Sequence, residues 1–359
     1  MISFSFLKKS KINEVMLGVL PDPRLQAEKK KDYLAEELVA AAVPFEWKER
    51  TESDWHKYPV FDQDYSSSCV AQSVAKALGI ENFLEEGKFV FFSARDVYTR
   101  RINYPSPGMF FQNGMNIGYN FGATPEQLMI SQGLDESKMN LSNDRTPLTE
   151  LMAKIGKGGN YFTISATDMD TIANTIEPKG KGVILGVKFG PSEWNKPIPE
   201  LLGSNAPYGH AIVATNAILH QGKKAFVIED SWGPKSGIEG RRIVTEDWFK
   251  AGRITDALFY TELKNEGLQE IKPKYVFNSD LYFGMQNNDV IMLQKCLSYL
   301  KTFPTLYGYT GLFGGLTLKG VKLFQEAYKD QISTVIGKEV QATGYVGIGT
   351  RTVLNKLFV

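Results

Sequence analysis

The feature that most constrains this chain is a change of texture near Asn160. Before it the signals are helical. Apolar residues recur at Val70, Val74, Ala77 and Leu78 after a serine-rich turn, and at Ala94, Val97, Tyr98 and Ile102 after Ser93, a plausible N-cap. The run FGATPEQLMISQGL reads as a turn, a capping box from Thr124 to Gln127, a short helix and a terminal Gly133. After Asn160 come NYFTISA, GVILGVKFG, HAIVATNAIL, KKAFVIEDSW, GRRIVT and DALFYTEL, short β-branched and aromatic runs broken by Gly, Pro and Asn. His220 to Lys224 reads as a hairpin loop between two of them. A helical half followed by an antiparallel half predicts an α+β domain with two lobes, and a site built from both would lie in the cleft between them.

Composition narrows the function classes. A length of 359 residues suggests two domains, each with its own core. Forty-one basic against 40 acidic residues leave +1, which gives no reason to expect nucleic acid or an anionic membrane as partner. Cys69 and Cys296 are the only cysteines, too few for a disulfide framework. No stretch approaches the ~20 apolar residues of a membrane span. In MISFSFLKKSKINEVMLGVL the lysines follow the apolar patch, the wrong order for a secretory signal, so non-classical delivery from the cytoplasm is expected. Nothing implies a cofactor or a metal.

Residues 1–42 read as an arm. Within it Ala27 to Ala42 is rich in helix formers, with Leu34, Leu38 and Val39 on one face. It is a pro-segment that covers a cleft, a helix packed on the next domain, or an attachment arm in a larger assembly. Val43-Pro44-Phe45 opens a new register, and a domain is expected over 43–265.

Within that domain, Cys69 stands where Ser66, Ser67 and Ser68 lead into a helix expected to stop at Gly79. A thiol in a first helical turn faces unpaired N–H groups and the positive end of the dipole, which favour the thiolate. Taken alone, a buried inert cysteine is the competing reading. A nucleophile needs a base, an orienter for that base, and oxyanion donors. Of the three histidines, His56 lies in a polar stretch and His220 at a hairpin tip, where a solvated imidazole is expected. His210 opens a strand. The next strand ends at Asp230-Ser231-Trp232-Gly233, so Asp230 can orient His210 while Trp232 shields the contact. Gln63 can turn its amide towards the Cys69 backbone N–H to form an oxyanion hole.

These pieces in this order resemble the papain-like (C1) cysteine peptidases: Val43-Pro44-Phe45 with Trp47, Gln63, Ser-Ser-Cys69 opening a helix, Gly114 to Gly122, Tyr-Gly-His210-Ala and Asp230-Ser-Trp-Gly. The resemblance implies a two-lobed fold, with Cys69 as nucleophile, His210 as general acid and base, Asp230 as orienter and Gln63 as oxyanion donor. It also implies a protein or peptide substrate. Two positions depart from the pattern: Val70 where the family has Trp, and Asp230 where it usually has Asn. An Asp there is expected to hold the imidazolium more tightly through its charge.

A polar linker, 266–276, leads to a tail over 277–359 with an internal echo. Gly311-Leu-Phe-Gly-Gly-Leu-Thr and Gly344-Tyr-Val-Gly-Ile-Gly-Thr each precede an amphipathic helix. NNDVIMLQKCLSYL gives a third, with Val290, Leu293, Cys296, Leu297 and Leu300 on one face. DQISTVIGKEVQAT reads as an insertion. This small three-helix domain resembles the type 1 peptidoglycan-binding domain of cell-wall hydrolases, which implies peptidoglycan as a partner and a wall, envelope or virion location, with a phage particle as one expected route of delivery. The expected function is a wall-tethered cysteine endopeptidase. The alternatives are a self-processing or intracellular protease, and a catalytically idle structural module.

Overall fold

The computed structural model describes residues 18–22, 24, 44–177, 180–203, 205–263, 272–300, 302–303 and 309–359. The helix expected over Ala27 to Ala42 lies outside the described residues. The chain divides into two compact units, 1–267 and 268–359. Among the described residues no helix is long and apolar enough to cross a membrane.

In the first unit a two-residue strand, β1 (Val19–Leu20), precedes the helix α1 (Cys69–Glu86). That helix does not stop at Gly79. A Cβ there would stand 2.6 Å from the Val90 carbonyl oxygen and 2.7 Å from the Phe89 ring, so the glycine lets a neighbouring segment approach. The stop is Gly87, left-handed at φ 67°, whose N–H returns to the Phe83 carbonyl. Every residue of α1 from Cys69 to Asn82 is buried, so tertiary packing rather than one apolar stripe stabilises it. The serines do not cap it by side chain either. Ser68 is the N-cap without a side-chain cap bond, its hydroxyl turned to Ser66 Oγ at 2.7 Å.

α2 (Ala94–Tyr98) begins where Ser93 Oγ accepts the Asp96 N–H, but it ends before Ile102, which is 71% exposed. The helix expected after Thr124 is absent. Pro125 pairs with Phe92, and the Glu126 carboxylate accepts the N–H groups of Ser131 and Gln132 at 2.6 and 2.9 Å. These bonds close the segment as a loop. Next come β2 (Met109–Phe110) and α3 (Phe111–Asn120). A Cβ at Gly114 of α3 would lie 2.8 Å from Val70, which is how closely α3 packs on α1.

The second half is a six-stranded sheet in the order β3-β8-β4-β5-β6-β7, every pair antiparallel. Its strands are β3 (Tyr161–Thr163), β4 (Val183–Phe189), β5 (Tyr208–His220), β6 (Lys223–Asp230), β7 (Arg241–Thr245) and β8 (Ile254–Tyr260). Gln221 and Gly222, both at positive φ, turn the β5–β6 hairpin. Helix α4 (Met169–Ile176) covers one face, burying Ile172 and Ile176 with Phe226, Trp194 and Trp248. Buried charge also joins the two halves. Lys76 of α1 pairs with Glu229 of β6, which also forms an ion pair with Arg241 of β7 at 2.9 Å, and Lys76 Nζ donates to the Pro59 carbonyl.

In the second unit the echo in the sequence becomes a repeated device. Gln294 of α5 (Asn288–Tyr299) accepts the Gly311 N–H at 3.0 Å and donates to the Leu312 carbonyl and Thr317 Oγ1. Gln325 of α6 (Gly315–Ala327) accepts the Gly344 N–H at 2.8 Å and donates to the Tyr345 carbonyl and Thr350 Oγ1. Gly311 and Gly344 both take left-handed φ. Each glutamine thus clamps a glycine turn to the first residues of the next helix, α6 or α8 (Ile348–Phe358). The stretch read as an insertion forms a further helix, α7 (Lys329–Ile336), whose Ile332 enters the core. Val290, Leu293, Cys296 and Leu297 are buried in that core, with Leu300 against it.

Candidate active site

Cys69 begins α1 and is completely buried. Three backbone N–H groups favour its thiolate: those of Val70 and Cys69 at the helix start, and that of Ala211 on β5, next to His210. Desolvation outweighs them and pushes the thiol up to about 12. His210 is the third residue of β5 rather than the first, paired across the sheet with Val187. It is 2% exposed, and burial brings its imidazole down to about 4 despite the neighbouring Asp230 charge.

Residues on β6 and just beyond it flank that imidazole. Ile212 pairs with Asp230, so the antiparallel register brings Asp230 and Trp232 to the His210 side. The Trp232 ring lies 5.1 Å from the imidazole, tilted by 31°. His210 Nε2 and Asp230 Oδ1 are both buried without a hydrogen-bond partner. The other Asp230 oxygen, Oδ2, is engaged by Arg242 Nε at 2.5 Å and by Trp194 Nε1 at 3.2 Å. The sequence reading treats Asp230 as a lone carboxylate; the structure pairs it with an arginine.

Gln63 reaches the same region from the loop before α1. Its backbone N–H donates to the Ser231 carbonyl, and its side-chain Nε2 donates to the Ser66 carbonyl at 2.7 Å. The amide is thus hydrogen-bonded to the turn that delivers Cys69. His56 is exposed, its ring 6.1 Å from that of Tyr58. His220 is half-buried, with an unpartnered Nε2, rather than the solvated tip residue expected. Neither belongs to the Cys69 cluster.

Sequence reasoning missed three contributors. Arg242 and Trp194 hold Asp230, and the visible signal for the first was a pair of arginines in an otherwise apolar strand. The third is Gly18. A Cβ there would stand 2.2 Å from Cys69 Sγ. Its carbonyl accepts the Met109 N–H at 2.8 Å, and β1 continues parallel to β2, with Val19 opposite Met109 and Leu20 opposite Phe110. On the other side, a Cβ at Gly209 would meet the Val19 carbonyl oxygen at 3.2 Å. The segment Gly18–Leu20 therefore runs between β2 and the start of β5, with its glycine on the sulfur.

Among solved structures, the chain superposes on xylellain, a cysteine protease from Xylella fastidiosa. The TM-score is 0.56 at 17% identity, covering 70% of this chain and 97% of that one. Its fold is the papain-like cysteine protease fold. Digestive procathepsin L2 from the larval midgut of Tenebrio molitor gives a TM-score of 0.57 at 16% identity, covering 71% of this chain and 81% of that one. Digestive procathepsin L 3 from the same source gives 0.53 at 14%, covering 70% and 78%. No family model and no curated protein matches the sequence. The papain-like fold thus accommodates the helix that carries Cys69 and the strand that carries His210 at very low identity.

Proposed function

We propose that this protein is a cysteine endopeptidase held latent by its own N-terminal segment. The observation that carries the reading is the meeting of the Cys69 thiol, at a helix start, with the His210 strand, under a glycine that leaves no room for another side chain. In the open site, His210 takes the thiol proton and Cys69 attacks a peptide carbonyl carbon. The new oxyanion rests on the Cys69 backbone N–H and the Gln63 amide. His210 then passes its proton to the leaving amine, giving a thioester. It deprotonates a water, which releases the acyl group as a carboxylic acid and restores the thiol. Asp230 orients the imidazole and Trp232 keeps water from that contact.

Gly18–Leu20 over the sulfur also favours self-processing, with residues 1–42 as a pro-segment removed before Val43. The tail's twofold Gly-turn and Gln–Thr clamp supports a substrate-tethering role, for which peptidoglycan is the proposed ligand. With it goes wall, envelope or virion association. The deciding experiment is a peptide-library digest beside a peptidoglycan digest, using protein lacking residues 1–42 and its Cys69→Ala counterpart. Cleavage of peptides by the first and not the second is the expected result. Equal inactivity, with Cys69 alkylated by iodoacetamide no faster than Cys296, would leave the idle structural module as the better reading.

A further inference from the structure

We propose that Arg242 is a positioning residue that cancels the charge of Asp230, so that the carboxylate meets His210 as an amide oxygen would. The inference rests on the reading of His210 as the base, but its own observations are geometric. Residues Glu229-Asp230 end β6, and Arg241-Arg242 begin β7. Side chains alternate along a strand, so the four charges sort into two pairs on opposite faces. Glu229 takes Arg241, with Lys76, at the junction with α1. Asp230 takes Arg242 on the His210 side.

Arg242 is held on every side. It is 3% exposed; Nε binds Asp230 Oδ2, Nη1 donates to the Lys196 carbonyl and Nη2 to Ser236 Oγ, both at 2.7 Å. Its guanidinium lies 5.5 Å from the Trp232 ring and 6.0 Å from the Trp194 ring. One carboxylate oxygen is therefore committed, and the charge it carries is answered at hydrogen-bond distance. The other oxygen, Oδ1, is buried and unpartnered, as is Nε2 of the His210 imidazole on which the Asp230 charge acts. It is left free as an acceptor, while the guanidinium opposes the field that would otherwise fix a proton on the ring.

The charged or titratable groups bearing on His210 are few. Asp230 comes from β6 and Arg242 from β7; β4 brings the Phe189 ring against the imidazole, and α1 brings the Cys69 thiol to the backbone of the neighbouring Ala211. Lys76, on α1, also lies within reach of the Asp230 charge, but Glu229 answers it. The balance at the imidazole is thus set mainly by one carboxylate and one guanidinium.

The test follows the His210 ring by NMR titration in the full chain, assigned against a His210 variant, for wild type, Arg242→Met, Asp230→Asn and the double variant. Arg242→Met should raise the His210 midpoint by about one unit or more, through the uncovered carboxylate. Asp230→Asn should lower it, through the uncovered guanidinium, and the double variant should return it near wild type. Arg242→Lys, which keeps the charge without the planar fork, should sit near wild type and serves if the methionine variant does not fold. A double variant displaced from wild type as far as either single variant, or Arg242→Lys moving the midpoint as far as Arg242→Met, would overturn the proposal. Peptide cleavage is scored separately. The crossed pattern without cleavage defeats the peptidase reading alone, and cleavage without the pattern defeats the role of Arg242 alone.

Discussion

His210 and Cys69 are nearly or wholly removed from water, and both protonation equilibria move towards the uncharged pair, thiol and neutral imidazole. The imidazole shift has a consequence for stability. Its folded value, about 4, lies below its ordinary 6.5, so between those values the unfolded chain binds the proton and the folded one does not. Stability from this residue is complete above about pH 6.5 and is lost as pH falls through 4, by roughly 3 kcal/mol over the window. Urea midpoints for wild type and His210→Asn, taken from pH 7 down to 4, should diverge from this cause, the wild type falling more steeply; parallel curves would contradict it. At this scale much was legible beforehand. Cys69, His210, Asp230 and Gln63 could be singled out as candidates because their residue types and order along the chain carry chemistry. Arg242, Trp194 and Gly18 could not, because their roles depend on which strand lies beside which. Nothing in the sequence near Asp230 announces that an arginine in the following strand will share its carboxylate.

Helix α1 shows why element boundaries were harder to read than element existence. Gly79 has the composition of a stop, yet its backbone is helical, and it is small because Val90 and Phe89 pass close by. The true stop, Gly87, follows an exposed turn, Phe83-Leu84-Glu85-Glu86, that lies beyond the buried stretch of the helix. In the same way Thr124 to Gln127 has the spacing of a capping box, but Glu126 spends its carboxylate on Ser131 and Gln132 and leaves a loop. Alternating strands were clearer, since every β run after Asn160 that the sequence marked became a strand of one sheet. The short β1 carries the prediction at this scale. Gly18→Val cannot keep its place against Cys69 Sγ, so the segment should lift. Returning water to the sulfur should then raise its alkylation rate at mildly acidic pH, by about tenfold for each unit the thiol falls. Buried Cys296, pushed up to about 12 by desolvation, is the internal control. A rate unchanged by both Gly18→Val and removal of residues 1–42 would show that the segment does not govern the thiol.

At the level of the whole molecule, the chain combines a papain-like unit with a second unit built on its own core and its own repeated turn. If that second unit tethers the enzyme to peptidoglycan, full-length Cys69→Ala should sediment with purified sacculi, and the same chain ending before Lys272 should stay in solution. Equal sedimentation of both would place any wall affinity elsewhere. The repeat itself was legible as a pattern, Gly-x-x-Gly-x-x-Thr before a helix. Its physical reason was not, because the glutamine that completes each clamp lies at least 17 positions upstream of the glycine it holds.

The two-residue strand β1 has a final consequence, which concerns concentration. So short a strand makes few contacts, yet residues 21–43 join it to the body it covers, and such a tether holds an occupant at an effective concentration of about millimolar. One cut anywhere in that connection leaves the contacts unchanged and removes the tether. The freed segment then competes only at the concentration of the protein itself, usually orders of magnitude lower, and leaves. If the segment keeps the protein latent, activation by such a cut is a step that dilution makes irreversible. A synthetic peptide of residues 1–42 should restore inhibition only when supplied far in excess of the enzyme.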